Sequence, residues 1–112
     1  MTNQDTRLDA LGDPTRRRIL TRLRKRPMPV ASIAKGFRIS RPAISQHLKV
    51  LKHAGLVVDR AEGTRRIYEL NPAAFASLSE YFNEFWDNAL QSFARRIENG
   101  ITTDDSERHH AE

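Results

Sequence analysis

Arg41, Ser45, Gln46 and Lys49 recur at spacings that place them on one side of a helix, while Ile44, Leu48 and Leu51 recur at i, i+4 and i+7 on the other. These polar types read base edges: Gln can bond adenine bidentately, Arg can do so with guanine, and Ser serves a base or a phosphate. The N-terminal half of such a helix is the part that enters a major groove. Arg41, Ser45 and Gln46 are therefore the first candidates for base contact, with Lys49 on the same face and His47 and Lys52 toward its edges. Ser40 precedes the helix as an N-cap residue, and a phosphate lies within reach of the same turn.

Arg60, Arg65 and Arg66 lie around Ala61-Glu62-Gly63-Thr64, and β-forming residues flank both sides. That pattern predicts a hairpin with strands over residues 56–60 and 65–70, whose arginines reach phosphates or a minor groove as a wing does. The rival reading is a hairpin that only covers the core, with its arginines solvated. Lys35 and Arg38, before the reading helix, suit a role against phosphates, as does Lys52.

The distribution of charge supports a binding face for a polyanion. Residues 14–66 carry fifteen basic and two acidic side chains, whereas the segments before and after are net acidic, for a total of +5. A basic centre between acidic ends is more informative than a uniformly basic surface.

The elements that must position these residues follow from caps and periodicity. A first helix is expected over residues 6–11, ending at Gly12, and Asp13-Pro14 opens a second, with Ile19, Leu20 and Leu23 facing inward. Pro27 and Pro29 end it. A third helix is expected over 30–37, with Ile33, Ala34 and Phe37 inward, and a fourth over 41–54, with Pro42 in its first turn and Gly55 after its end. Asn71-Pro72 opens a long helix to about residue 99, leaving 100–112 as a polar tail expected to be disordered. The predicted fold is mainly α with a small β-hairpin, a winged helix-turn-helix in the order α-α-α-α-β-β-α, with residues 1–99 as one domain.

The long helix carries Phe75, Leu78, Tyr81, Phe82, Phe85, Trp86, Leu90, Phe93 and Ile97. That stripe is too wide to rest on one small monomer, and left bare it invites aggregation. A twofold-symmetric pair of such helices covers it, with Leu8 and Leu11 of the first helix alongside. The competing reading is an aromatic pocket for a small effector. Arg16 shares the side of Ile19, Leu20 and Leu23, which favours a structural role over a phosphate contact.

Other function classes find no support. Cysteine is absent, which excludes disulfides and thiolate metal sites and fits a cytoplasmic protein. Met1–Asp5 has neither the basic head nor the apolar stretch of a secretory signal, and no run approaches the length of a membrane span. No nucleophile with base and orienting partner, Gly-rich phosphate loop or metal motif appears, so no enzyme and no cofactor are expected.

The segments Leu8-Asp9-Ala10-Leu11-Gly12-Asp13-Pro14-Thr15-Arg16, Ser40-Arg41-Pro42-Ala43-Ile44-Ser45-Gln46-His47-Leu48-Lys49-Val50-Leu51 and Ala54-Gly55-Leu56-Val57 resemble the ArsR/SmtB family of winged-helix repressors over about residues 6–95. The resemblance implies a homodimer, joined through its first and last helices, that occupies a pseudo-palindromic operator in double-stranded DNA and blocks transcription, often of its own operon. Metal-sensing members place cysteines in the helix before the turn, or His and carboxylate ligands along the last helix. Here the first region reads Met28-Pro29-Val30-Ala31-Ser32, and the last helix has Glu80, Glu84 and Asp87 but no histidine. His53 lies beside the reading helix, while His109 and His110 fall in the tail. No metal is therefore expected. The alternative function is a winged-helix module that docks acidic protein partners, and a small-molecule effector is left open.

Overall fold

A computed structural model describes residues 3–103. The elements run α1 (Asn3–Leu11), α2 (Pro14–Leu23), β1 (Met28–Pro29), α3 (Val30–Ala34), α4 (Arg41–His53), β2 (Val57–Glu62), β3 (Arg65–Leu70) and α5 (Pro72–Thr103). This is a winged helix-turn-helix. The chain divides into two compact units, one up to Leu78 and the other from Ser79 onward.

Local chemistry sets the helix starts of the first unit. The Asp13 carboxylate accepts from the Arg16 amide at 3.3 Å, and the Ser40 hydroxyl accepts from the Ala43 amide at 3.2 Å. Each satisfies one of the amides that a helix start leaves unpaired. The carbonyls at the end of α1 are met by arginines of α2: Arg16 Nε donates to Ala10 O at 2.7 Å and Arg17 Nη1 to Leu11 O at 2.6 Å. Arg7 Nε likewise donates to Ala54 O at 3.2 Å, just past the end of α4.

Ile19, Ile33, Ile44, Leu48, Leu51 and Leu56 are wholly buried, and Ala10, Leu20, Leu23, Met28, Ala54, Val57, Ala74 and Leu78 complete the core cluster around them. Leu8, Leu11 and Phe75 pack half-buried against it. No polar or charged residue is buried as a whole among the described residues. Leu78, expected at a contact between subunits, is instead 4% exposed within this core, because it stands one helical turn beyond the buried Ala74.

The hairpin belongs to a three-stranded antiparallel sheet in the order β1-β3-β2, with Met28 opposite Tyr68 and Pro29 opposite Ile67. β1 is not among the sequence-based elements. Two residues are too few for an alternating pattern, and the proline restricts the strand to an edge. β2 starts one residue later than expected and runs two residues further, so that Glu62 faces Arg65 across a loop of Gly63 and Thr64. Gly63 has φ +64° and, among the described residues, no non-glycine residue has positive φ, which fits a two-residue hairpin loop with glycine first. α3 is shorter than expected: it ends at Ala34, because the chain turns left-handed at Gly36 (φ +85°), yet Phe37 still packs against the core.

α5 extends past residue 99 to Thr103, so residues 100–103 continue the helix instead of beginning a tail; residues 104–112, with His109 and His110, lie outside the described residues. In the second unit Tyr81, Phe82, Phe85, Trp86, Leu90, Phe93 and Ile97 are all exposed. Tyr81 meets Phe82, and Phe85 meets Trp86, edge to face at 5.8 and 5.7 Å.

Candidate nucleic-acid interface

α4 is anchored by Ile44, Leu48 and Leu51, each 0% exposed. That burial fixes the rotation of the helix about its axis, and the opposite face then presents Arg41, Ser45, Gln46 and Lys49 to solvent. Arg41 and Lys49 have no carboxylate partner among the described residues, nor have Lys35 and Arg38, which stand exposed in the turn leading to the helix. Lys35, Arg38, Arg41, Ser45, Gln46 and Lys49 are thus each exposed along the turn and α4, with Ser40 occupied as the cap.

His47 is placed differently from that group. It is half-buried on the flank of α4, where its Nδ1 lies 3.5 Å from Asp13 Oδ2 and 3.5 Å from Arg16 Nη1. Its position is set by α2, which reduces what it can offer to a base edge. Arg16 has a structural environment, as expected: besides Ala10 O it reaches Asp9 O at 3.4 Å and Asp13 at 4.0 Å. Asp13, Arg16 and His47 therefore connect the end of α1, the start of α2 and the middle of α4.

The wing presents its cations in another way. Because residues directly opposite share a face of a hairpin, the register sorts its charges into two groups. On one face Asp59 lies diagonal to Arg66, and Asp59 binds both Arg66 Nε and Lys52 Nζ at 3.0 Å. On the other, Arg60 binds Glu69 and lies 3.8 Å from Glu62, while Arg65 also lies 3.8 Å from Glu62. Lys52, Arg60, Arg65 and Arg66 were all expected to face phosphates, and each has a carboxylate neighbour within the fold.

Asp59 is the most constrained of these acids. Its side chain is only 8% exposed. The hydrogen bond from Lys52 holds its carboxyl below the usual value of 3.8, Arg66 adds to the effect, and burial opposes both. The other pairs are largely exposed. Such pairs contribute about 0–1 kcal/mol, so phosphates can displace these carboxylates at little cost. The sequence did hold a signal for this arrangement: once Gly63-Thr64 is taken as a two-residue loop, the register puts Asp59 beside Arg66 and Arg60 beside Glu69.

Among the described residues no group of His, Asp and Glu side chains could hold a metal ion, and no helix is long and apolar enough to cross a membrane.

Comparison with known proteins places this geometry. Residues 11–60 match a helix-turn-helix domain model. The chain is 48% identical over 94 residues to the HTH-type transcriptional regulator Rv2034 of Mycobacterium tuberculosis, covering 84% of this chain and 88% of that protein. It is 45% identical over 62 residues to the transcriptional repressor SdpR of Bacillus subtilis, covering 55% of this chain and 69% of that protein. The crystal structure of an ArsR family transcriptional regulator superposes with a TM-score of 0.72 at 27% identity, over 77% of this chain and 94% of the other. With its winged helix-turn-helix and these relatives, the chain belongs to the ArsR/SmtB family of DNA-binding transcriptional regulators.

Proposed function

We propose that this protein represses transcription by binding a pseudo-palindromic operator as a homodimer, with α4 of each subunit in successive major grooves. The observation that carries the proposal is the outer face of α4: Arg41, Ser45, Gln46 and Lys49 are exposed while Ile44, Leu48 and Leu51 are fully buried. Gln46 and Arg41 supply the bidentate chemistry that distinguishes adenine and guanine. Lys35, Arg38 and the wing cations supply phosphate neutralisation, which positions the helix without reading sequence.

A homodimer is favoured by the second unit. Phe85, Trp86, Leu90 and Phe93 are each more than half exposed, and a second copy covers such a stripe with the same stripe. Leu8 and Leu11, half-buried in the first unit, are counted in the same proposed interface. Two subunits then meet half-sites whose centres lie about 34–36 Å apart. The repressed genes are its own or a neighbouring operon, and the protein acts in the cytoplasm.

The test is gel-shift titration of Gln46→Ala against a selected operator and a random duplex. Loss of a bidentate contact weakens the operator by about 1–3 kcal/mol and leaves random DNA nearly unaffected. Equal losses on both duplexes remove Gln46 from the readers. Absence of salt-sensitive binding to any duplex favours instead a module that docks acidic proteins.

A further inference from the structure

Between α2 and the turn after α3 lies an open groove of about 240 Å³, lined by Arg18, Thr21, Arg22, Lys35, Gly36 and Phe37. Its charge is one-sided, with three cations and no carboxylate in the lining. This sets it apart from the wing, where every cation has an acidic neighbour. The Arg18 guanidinium lies over the Phe37 ring at 4.6 Å from its centre, so a cationic rim sits directly on an apolar wall. Gly36 leaves the mouth open, since a Cβ there would meet nothing within 4 Å.

The hydrogen-bonding capacity of Arg22 is only partly used within the fold. Its Nη2 donates to Ser32 O at 2.8 Å, but its Nε is buried without a hydrogen-bond partner. A buried donor left unpaired is costly, so a small rotation that offers this guanidinium an anionic acceptor is favourable. A carboxylate matches the planar fork of an arginine.

We propose that this groove binds a small organic carboxylate, with its anionic end between Arg18, Arg22 and Lys35 and its apolar body against Phe37. A DNA phosphate matches the cations but makes no use of the aromatic wall. The position of the groove gives the ligand an effect. Phe37 is followed by Arg38-Ile39-Ser40, the connection that ends in the cap of α4. A ligand bridging Arg18 and Arg22 on α2 to Lys35 ties that connection to α2 and so biases the setting of α4. This last step rests on the DNA-binding reading; occupancy of the groove does not.

The experiment is amide NMR titration of the full chain with benzoate, its neutral analogue benzamide, and inorganic phosphate. Benzoate is expected to give saturable shifts at Arg18, Arg22, Gly36 and Phe37. Arg18→Gln and Lys35→Gln, each with an otherwise unchanged spectrum, should weaken it about tenfold, the scale of one charge-assisted hydrogen bond. Benzamide binding as well as benzoate overturns the anion claim, and phosphate binding as well as benzoate overturns the organic acid in favour of a phosphate site. Absence of saturable shifts with benzoate overturns the site itself. Saturable binding of benzoate with no change in operator affinity keeps the site and removes its coupling to α4.

Discussion

α4 and the wing both present cations, but they hold them under opposite constraints. On α4, Arg41 and Lys49 project from a helix whose inner face is locked by Ile44, Leu48 and Leu51, and neither has a carboxylate partner among the described residues. On the wing, residues 61–66 are all exposed, and Arg60, Arg65 and Arg66 lean on Glu69, Glu62 and Asp59. One region has a fixed orientation and free charge, the other a loosely anchored tip and compensated charge. A base reader needs the first condition, since hydrogen-bond discrimination depends on placement. A phosphate contact tolerates the second, because it is long-ranged and carries no sequence information. The carboxylates of the wing also weaken its attraction for any duplex, which on the proposed function leaves a larger share of the binding to α4.

The strongest way to break this comparison is to loosen α4 from within. Leu48→Ala should cost about 2–5 kcal/mol of stability by leaving a cavity in the core, measured by urea unfolding, and operator binding should fall with it. A loss well below that range means that packing does not set the helix as argued.

Asp59→Asn should make the wing resemble α4. Lys52 and Arg66 lose their common partner, so affinity for operator and random DNA both rise, and the salt dependence of log K steepens by about 1–2. Filter binding across a salt series checks this; an unchanged slope means that the pairs persist or play no part on DNA.

Acid probes the same carboxylate without mutation. Its folded pKa lies below the ordinary 3.8. Its contribution to stability is therefore fully present above the unfolded value and disappears as the pH falls through the folded one. Unfolding measured below pH ~4 should show an acid loss in the wild type that Asp59→Asn lacks.

The smallest effect is expected at the wing tip. Arg65→Ala should weaken operator and random DNA about equally and lower the salt slope by about 1. A selective loss on the operator would make the wing a reader.

Much of the candidate reading surface was legible in the sequence, because a helix face is set by residues three and four apart. Ser40, Pro42 and the apolar repeat of α4 give its start and its rotation, and Asp13-Pro14 does the same for α2. The hairpin was legible as an element but not in register, because a four-residue turn was read where a two-residue loop stands. That shift hid the partners of Arg60 and Arg66. β1 was missed because a strand of two residues has no period, and only its pairing with Tyr68 and Ile67 defines it.

The sequence alone determined the helix-turn-helix, the basic centre and the outward set Arg41, Ser45, Gln46 and Lys49. All of these follow from local periodicity, capping and charge. Tertiary structure decided which of the candidate cations are free. It drew His47 to Asp13, turned Leu78 into the core of its own unit, and gave Lys52 and Arg66 a common carboxylate in Asp59. The physical reason is that ion pairing and burial depend on distances between elements, and those distances exist only once strand register and helix packing are fixed.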